Sequence, residues 1–131
     1  MKFRNRFRNY VNYQALAAVL VFATFFLIAQ KQIAALITSS IFFGVSAYIL
    51  YAESKFEGYK KRISFIATLI FLVGFIVPIF LLRLSHWGTP FSEIVFLGIS
   101  GQLLHQVSNY GFILMLVCYF IDSNLEQKRN N

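Results

Sequence analysis

Four long apolar runs separated by short polar segments dominate the hydropathy pattern of this chain. The clearest run is 63–82, twenty residues without a charge that lie between the cations of 60–62 and Arg83. At about 1.5 Å rise per residue, such a run forms a helix about 30 Å long, which equals the hydrocarbon thickness of a bilayer. The other runs are 11–29, 33–52 and 103–121. The pattern therefore predicts four transmembrane helices.

The polar segments between the runs predict how these helices are connected. Residues 1–9 form a basic arm, 83–102 an outer loop and 122–131 a polar tail. Because only three residues separate the first two runs, their helices must be antiparallel neighbours. In the outer loop, Thr89 followed by Pro90 is typical of a helix start, so 91–97 is predicted to form a short interfacial helix. We expect an all-α integral membrane protein, a single compact bundle of four transmembrane helices with this short helix between spans three and four.

Composition and charge narrow the class further. The chain has 131 residues, of which 58% are hydrophobic and only 13% are charged, and such values lie outside the range of ordinary soluble domains. Its net charge of +7 does not indicate nucleic-acid binding, because the basic residues flank apolar runs instead of forming a stripe on a folded domain. Anionic lipid headgroups on the cytoplasmic side are the expected counter-charge. Cys118 is the only cysteine, which excludes an intramolecular disulfide.

The distribution of lysine and arginine predicts the orientation of the bundle. Ten of the twelve lie in the arm, the segment 53–62 and the tail, whereas only Lys31 and Arg83 lie on the other side. Cytoplasmic flanks carry the excess of lysine and arginine, so we expect both termini in the cytoplasm and the protein in the cell inner membrane of a bacterium. The residues expected to anchor this topology are Arg4, Arg6, Arg8, Lys60, Lys61 and Arg62.

Two runs carry residues that indicate special helix geometry. The second run has small residues on which another helix could pack closely. They are Ala35, Ser39, Ser40, Gly44 and Ala47. Packing within the chain and binding of a partner are both open interpretations of this face. In the third run, Gly74 and Pro78 predict a kink, because proline removes a backbone donor from the helix.

A polar stripe marks the outer half of the fourth run. Gln102, His105, Gln106 and Asn109 recur at three- and four-residue spacing, so they share one side of a helix. Exposing this stripe to lipid would be costly, and we expect it to face the bundle, a partner or water. Interhelical hydrogen bonding and a partner or ligand site are both open.

Metal and haem binding are remote alternatives. His86, Glu93 and His105 lie on the outer side and are the candidate ligands for zinc or copper, but their spacing is not characteristic of a metal site. A haem held by two histidines needs both at similar depth on facing helices, and His86 falls in the predicted loop. We expect no bound metal or cofactor.

The function expected from these features is non-enzymatic. Coupled transporters usually hold an ionisable group at mid-membrane, and none of the four runs contains an aspartate, glutamate, lysine or arginine. The polar segments are short and contain no glycine-rich phosphate loop. We expect an accessory, assembly or immunity-type subunit that docks on a larger membrane complex or on another copy of itself. The alternative is a small oligomeric carrier, channel or flippase, and a metal- or haem-binding redox subunit is a more remote one.

Overall fold

The computed structural model describes residues 6–130, with the backbone alone for Ser92, Arg129 and Asn130. Arg4, one of the predicted anchors, lies outside these residues. The helices are α1 (Arg6–Leu27), α2 (Lys31–Glu53), α3 (Ile63–Phe71), α4 (Val77–Ser85) and α5 (Gly101–Asn130). A π-helix over Leu72–Ile76 joins α3 to α4, so Ile63–Ser85 forms one continuous third span. This span and helices α1, α2 and α5 are each long and apolar enough to cross a membrane, which suggests a multi-pass membrane protein.

The spans pack as a four-helix bundle in which α1 contacts α2 and α5, and the third span also contacts α2 and α5. We call the end where α1 begins and α2 ends the charged end, and the opposite end the hairpin end. The hydrophobic core comprises Phe7, Tyr10, Ile49, Phe71, Leu72, Ile76, Met115 and Tyr119. Between 17% and 28% of each apolar span is buried inside the bundle, so most apolar side chains point outward, as expected where lipid is the solvent.

The π-helix interrupts the third span just before its proline. Gly74 lies at the centre of this segment and Pro78 is the second residue of α4. Because Pro78 has no backbone N–H, the carbonyl of Gly74 cannot receive the usual helical bond from it. The backbone is wound more widely here, and the N–H of Val77 donates to the carbonyl of Leu72. The sequence predicted a kink at this place, and the irregularity that the structure has there is a π-helical turn.

The segment between the third span and α5 differs from the helix predicted over 91–97. The helical part is a single 3-10 turn over Phe91–Glu93, and β1 (Val95–Phe96) then pairs antiparallel with β2 (Ile99–Ser100). A seven-residue helix forms few backbone bonds for the cost of its nucleation, and β-branched residues in this stretch favour extended backbone.

Gly98, which directly follows the predicted helix, is a turn residue of the β-hairpin. Leu97 and Gly98 connect the strands with φ of 53° and 81°. A two-residue turn with positive φ at both positions matches the right-handed twist of the paired strands.

Candidate functional site

A buried carboxylate organises the charged end. Glu53, the last residue of α2, has a side chain that is only 2% exposed. It accepts hydrogen bonds from Arg6, at 2.7 Å from Nε and 2.9 Å from Nη2, and a third from the hydroxyl of Tyr10 at 3.0 Å. The Nε atom of Arg62 lies 3.0 Å from the same carboxylate. Two cations and a phenol therefore neutralise and solvate a charge that water scarcely reaches.

Glu126 of α5 completes this group. Its carboxylate lies 3.4 Å from Nη1 of Arg6 and 3.6 Å from Nη2 of Arg62. We call Arg6, Glu53, Arg62 and Glu126 the ion-pair cluster. Its two positive and two negative charges balance, and its members come from α1, α2, the start of the third span and α5. The cluster therefore ties all four spans together at the charged end.

The predicted topology anchors divide into two kinds. Arg6 and Arg62 belong to the ion-pair cluster, and the guanidinium carbon of Arg6 also lies 3.7 Å from the centre of the Phe56 ring. Arg8, Lys60 and Lys61 are exposed. These three side chains are the ones that could contact anionic headgroups directly.

Buried hydrogen bonds join the third span to α5 next to the ion-pair cluster. A carboxylate oxygen of Asp122 accepts the backbone N–H of Ser64 at 2.9 Å, in the first turn of α3, where the helix dipole favours a negative charge. One turn further on, the hydroxyls of Thr68 and Tyr119 lie 2.6 Å apart. Thr68 also donates to the carbonyl of Ser64 at 2.7 Å, so the proton between the two hydroxyls comes from Tyr119.

Gln14 forms a further polar contact inside the bundle. Its side chain is fully buried, and its amide nitrogen donates to the hydroxyl of Ser46 at 3.1 Å. This bond links α1 to α2 below the ion-pair cluster.

A cavity lies between the spans toward the hairpin end, whereas at the charged end the ion-pair cluster fills the space between them. A cavity of about 560 Å³ lies among all four spans, within the range of about 300–1,000 Å³ typical of ligand pockets. Three rings form its floor: Phe42, Phe71 and Phe112 contact one another at centroid distances of 5.3–6.0 Å. Its polar lining comprises Thr38, Ser39, Arg83, His105, Ser108 and Asn109. We call this space the central cavity.

A smaller pocket of about 200 Å³ adjoins the central cavity at the hairpin end. Lys31, Arg83 and Trp87 line it. Arg83 also lines the central cavity, as do Phe25 and Ala35. We call this smaller space the cation pocket, because both basic residues predicted for the outer side meet there.

The predicted polar stripe of the fourth span divides between two surfaces. α5 packs inward through Leu104, Ser108, Met115 and Tyr119. His105 and Asn109 flank this packed face and line the central cavity. All four stripe residues are exposed, but Gln102 and Gln106 line neither space. At about 100° per residue, Gln106 lies roughly 160° around the helix from buried Ser108, and therefore faces away from the bundle.

The small residues of the second span also divide. Ala35 and Ser39 are buried within the bundle, and Ala47 packs half-buried against the core. Ser40 and Gly44 are exposed, and a Cβ atom added at Gly44 would contact nothing within 4 Å. Both residues of this exposed pair therefore lie on the outer surface of α2.

The metal candidates are not gathered into one site. Within residues 6–130, no group of three or more histidine, cysteine, aspartate or glutamate side chains is placed to hold a metal ion. His86 instead lies against the end of α4, with Nδ1 3.0 Å from the hydroxyl of Ser85 and 3.2 Å from the carbonyl of Leu82.

Sequence reasoning missed the ion-pair cluster because it treated the cations at this end only as anchors. A signal was present in the acidic residues. Of the five in the chain, Glu53 and Asp122 directly follow apolar runs, and Glu126 lies one helical turn after Asp122, in segments that also carry cations. Acids at such positions are natural partners for the flanking arginines.

Comparison with protein-family models, with curated proteins and with solved structures finds no match for this chain. What the protein does must therefore be inferred from its residues and their geometry.

Proposed function

We propose that the chain is inserted in the bacterial cytoplasmic membrane with the charged end in the cytoplasm. The support is the charge asymmetry: Arg8, Lys60 and Lys61 are exposed at the charged end, whereas among residues 6–130 only Lys31 and Arg83 supply a lysine or arginine to the hairpin end. Cations resist translocation, so the cation-rich end stays in the cytoplasm. Reporter domains fused after Asn131 should be active only in their cytoplasmic form. A periplasmic C-terminus would refute the orientation.

Within that membrane, the function that the geometry supports best is that of a non-enzymatic subunit, which docks on a larger membrane complex or on a second copy of the chain. The observation that carries this proposal is the exposure of Gln106 on the outward side of α5. It lies five residues, about 7 Å along the helix axis, inside the start of α5 at Gly101. A polar amide at this position points into lipid unless another protein covers it.

The cost of leaving such an amide uncovered favours a partner. Studies of protein variants show that burial of an amide in an apolar environment without a hydrogen bond costs about 1–3 kcal/mol. A hydrogen bond across a helix pair in the membrane stabilises by about 0.6 kcal/mol on average and avoids that cost. Gln102 is exposed one turn away and can donate to the same partner helix. The exposed Ser40 and Gly44 would let a second helix approach α2 closely.

Cross-linking and mild-detergent purification test this proposal. The wild-type chain should elute with a partner or as an oligomer, and the double variant Gln102→Leu and Gln106→Leu should elute as a monomer. Gln127→Leu is the matched control, because Gln127 is exposed on the same helix at the charged end and should leave association unchanged. A monomeric wild-type chain without a partner would contradict the subunit function.

A carrier or flippase is the second candidate, and the central cavity favours it. The bundle is open toward the hairpin end through a partly polar cavity, and is closed at the charged end by the ion-pair cluster. An arrangement with a single open end is what alternating access requires in one of its states. In this function, His105 and Asn109 would contact the transported molecule.

The divided polar stripe allows the two functions to be separated. Replacement of His105 and Asn109 by leucine changes the cavity wall but leaves the outward face of α5 intact. Replacement of Gln102 and Gln106 by leucine changes the outward face of α5 but leaves the cavity wall intact. If the first pair abolishes a measurable flux while association persists, the protein is a carrier. If the second pair abolishes association and function together, it is a subunit.

A further inference from the structure

The cation pocket holds two positive charges without acidic partners. Among the described residues, neither Lys31 nor Arg83 has a carboxylate within ion-pair distance. Each has a contact within the chain, although Lys31 is exposed. The guanidinium carbon of Arg83 lies 4.2 Å from the centre of the Phe91 ring, and the ammonium of Lys31 donates to the carbonyl of Phe25 at 3.4 Å. Two positioned cations that lack a counter-charge form a site for an anion.

The type of anion follows from the arginine and from the position of the pocket. The planar guanidinium of arginine matches the oxygens of a phosphate with two parallel hydrogen bonds, and the lysine adds a point charge. Trp87 lines the same pocket. Tryptophan is enriched at the headgroup level of membranes, which indicates that the pocket lies where lipid phosphates lie.

The adjoining central cavity could hold an apolar group attached to that phosphate. Its floor and much of its wall are apolar, including Phe22, Phe42 and Phe112. Phe22 lines the cavity although its own side chain is 78% exposed, so the cavity opens sideways to the surroundings of α1. A soluble anion would leave this apolar space empty, whereas a lipid from the same leaflet could place an acyl chain in it through the side opening.

We propose that the two spaces together bind one anionic glycerophospholipid, with its phosphate at Arg83 and Lys31 and one acyl chain in the central cavity. This inference rests on the proposed insertion of the chain in a membrane, but it holds for either candidate function. For the subunit, the lipid would be a structural ligand at the outer leaflet. For the carrier, it would be the class of molecule that is moved.

The single tryptophan provides a direct assay of this site. The full chain is reconstituted in phosphatidylcholine vesicles that contain a fixed fraction of either brominated phosphatidylglycerol or brominated phosphatidylcholine. Bromine quenches tryptophan fluorescence at short range, and Trp87 is the only tryptophan of the chain. The anionic lipid should quench Trp87 more strongly, with a preference of about fivefold for each cation in contact with the headgroup.

Three variants test the residues that carry the proposal. Arg83→Gln and Lys31→Gln should each reduce the preference about fivefold. Lys61→Gln, which removes an exposed cation at the charged end, is the matched control and should leave the preference unchanged. Asn109→Phe keeps both cations but fills part of the central cavity, and should also weaken the preference if an acyl chain occupies that space.

The possible results separate this inference from the proposed membrane insertion. Absence of quenching by either brominated lipid would show that Trp87 is not in a bilayer, and both proposals would fail. Equal quenching by the two lipids would overturn the lipid site alone, as would a preference that survives both Arg83→Gln and Lys31→Gln. Relief of the quenching by excess inorganic phosphate would show a simple anion site and overturn the role of the acyl chain. If a variant does not reconstitute, loss of the wild-type preference at high salt tests the same charge contact.

Discussion

The geometry of the ion-pair cluster predicts that Glu53→Gln destabilises the folded bundle. The substitution keeps the size of the side chain but removes its negative charge, so the cluster changes from neutral to a net charge of +1. Arg6 loses a two-bond contact with a carboxylate, and both arginines are left with Glu126, at 3.4 and 3.6 Å, as the remaining carboxylate of the cluster. The side chains of Arg6 and Arg62 are only 15% and 13% exposed, so water cannot fully replace the missing charge.

The magnitude follows from this geometry. Removal of one partner from a buried ion pair destabilises a protein by about 3–5 kcal/mol, because the other charge remains buried without compensation. The two arginines keep Glu126 and lie at the end of the bundle, so we expect the lower limit, about 3 kcal/mol. That value corresponds to about a 150-fold fall in the equilibrium constant for folding.

The assay is reversible unfolding in mixed micelles with increasing denaturing detergent, followed by circular dichroism. Glu57→Gln is the matched control: Glu57 is exposed in the same inter-helix segment, and its replacement should change the free energy of unfolding by less than about 0.5 kcal/mol. The double variant Arg6→Met and Glu53→Leu removes one charge of each sign and leaves Arg62 with Glu126. It should be less destabilised than the sum of the single variants. If Glu53→Gln were no more destabilising than Glu57→Gln, the cluster would not hold the charged end together.

Two further predictions concern the hairpin end and the start of the third span. Gly101→Ala should destabilise the fold by about 1–3 kcal/mol, because its added methyl group would overlap the carbonyl oxygen of Phe91. Gly44→Ala, in open surroundings, should be neutral or slightly stabilising in the same detergent unfolding assay. Asp122→Ala should cost about 1–3 kcal/mol, because it leaves the buried N–H of Ser64 without its acceptor, whereas Asp122→Asn keeps an acceptor and should cost less. Equal losses from the alanine and asparagine variants would show that this hydrogen bond contributes little.

The coarse architecture could be predicted from local sequence alone. Apolar runs of bilayer length predicted four spans, and helices of that length and composition are present at those places. The position of the irregular turn near Gly74 and Pro78 could also be anticipated, because the missing donor of proline acts within one turn of its own helix. The helix predicted over 91–97 was wrong beyond its first turn, because a short segment adopts the conformation that its neighbours stabilise. The backbone N–H of Gly101 donates to the carbonyl of Ile94 at 2.6 Å, and this bond joins the start of α5 to the β-hairpin.

The candidate sites depended on features that no single segment contains. Spacing placed four polar residues on one side of α5, but only the packing of that helix decided that His105 and Asn109 line a cavity while Gln106 faces outward. In the same way, Glu53 and Glu126 lie more than seventy positions apart in sequence and share two arginines only because α2 and α5 end together.

The sequence by itself determined the number, approximate length and apolar character of the four long helices. The reason is that the free energy of transferring a segment from water to lipid is a sum of contributions from its own residues. The sequence also determined which end of the bundle carries the cations. Only the tertiary structure decided which polar groups meet, because a hydrogen bond or ion pair forms only when groups on separate helices are placed to within a few tenths of an ångström of the contact distance. For that reason the ion-pair cluster, the central cavity and the cation pocket are properties of the packed bundle.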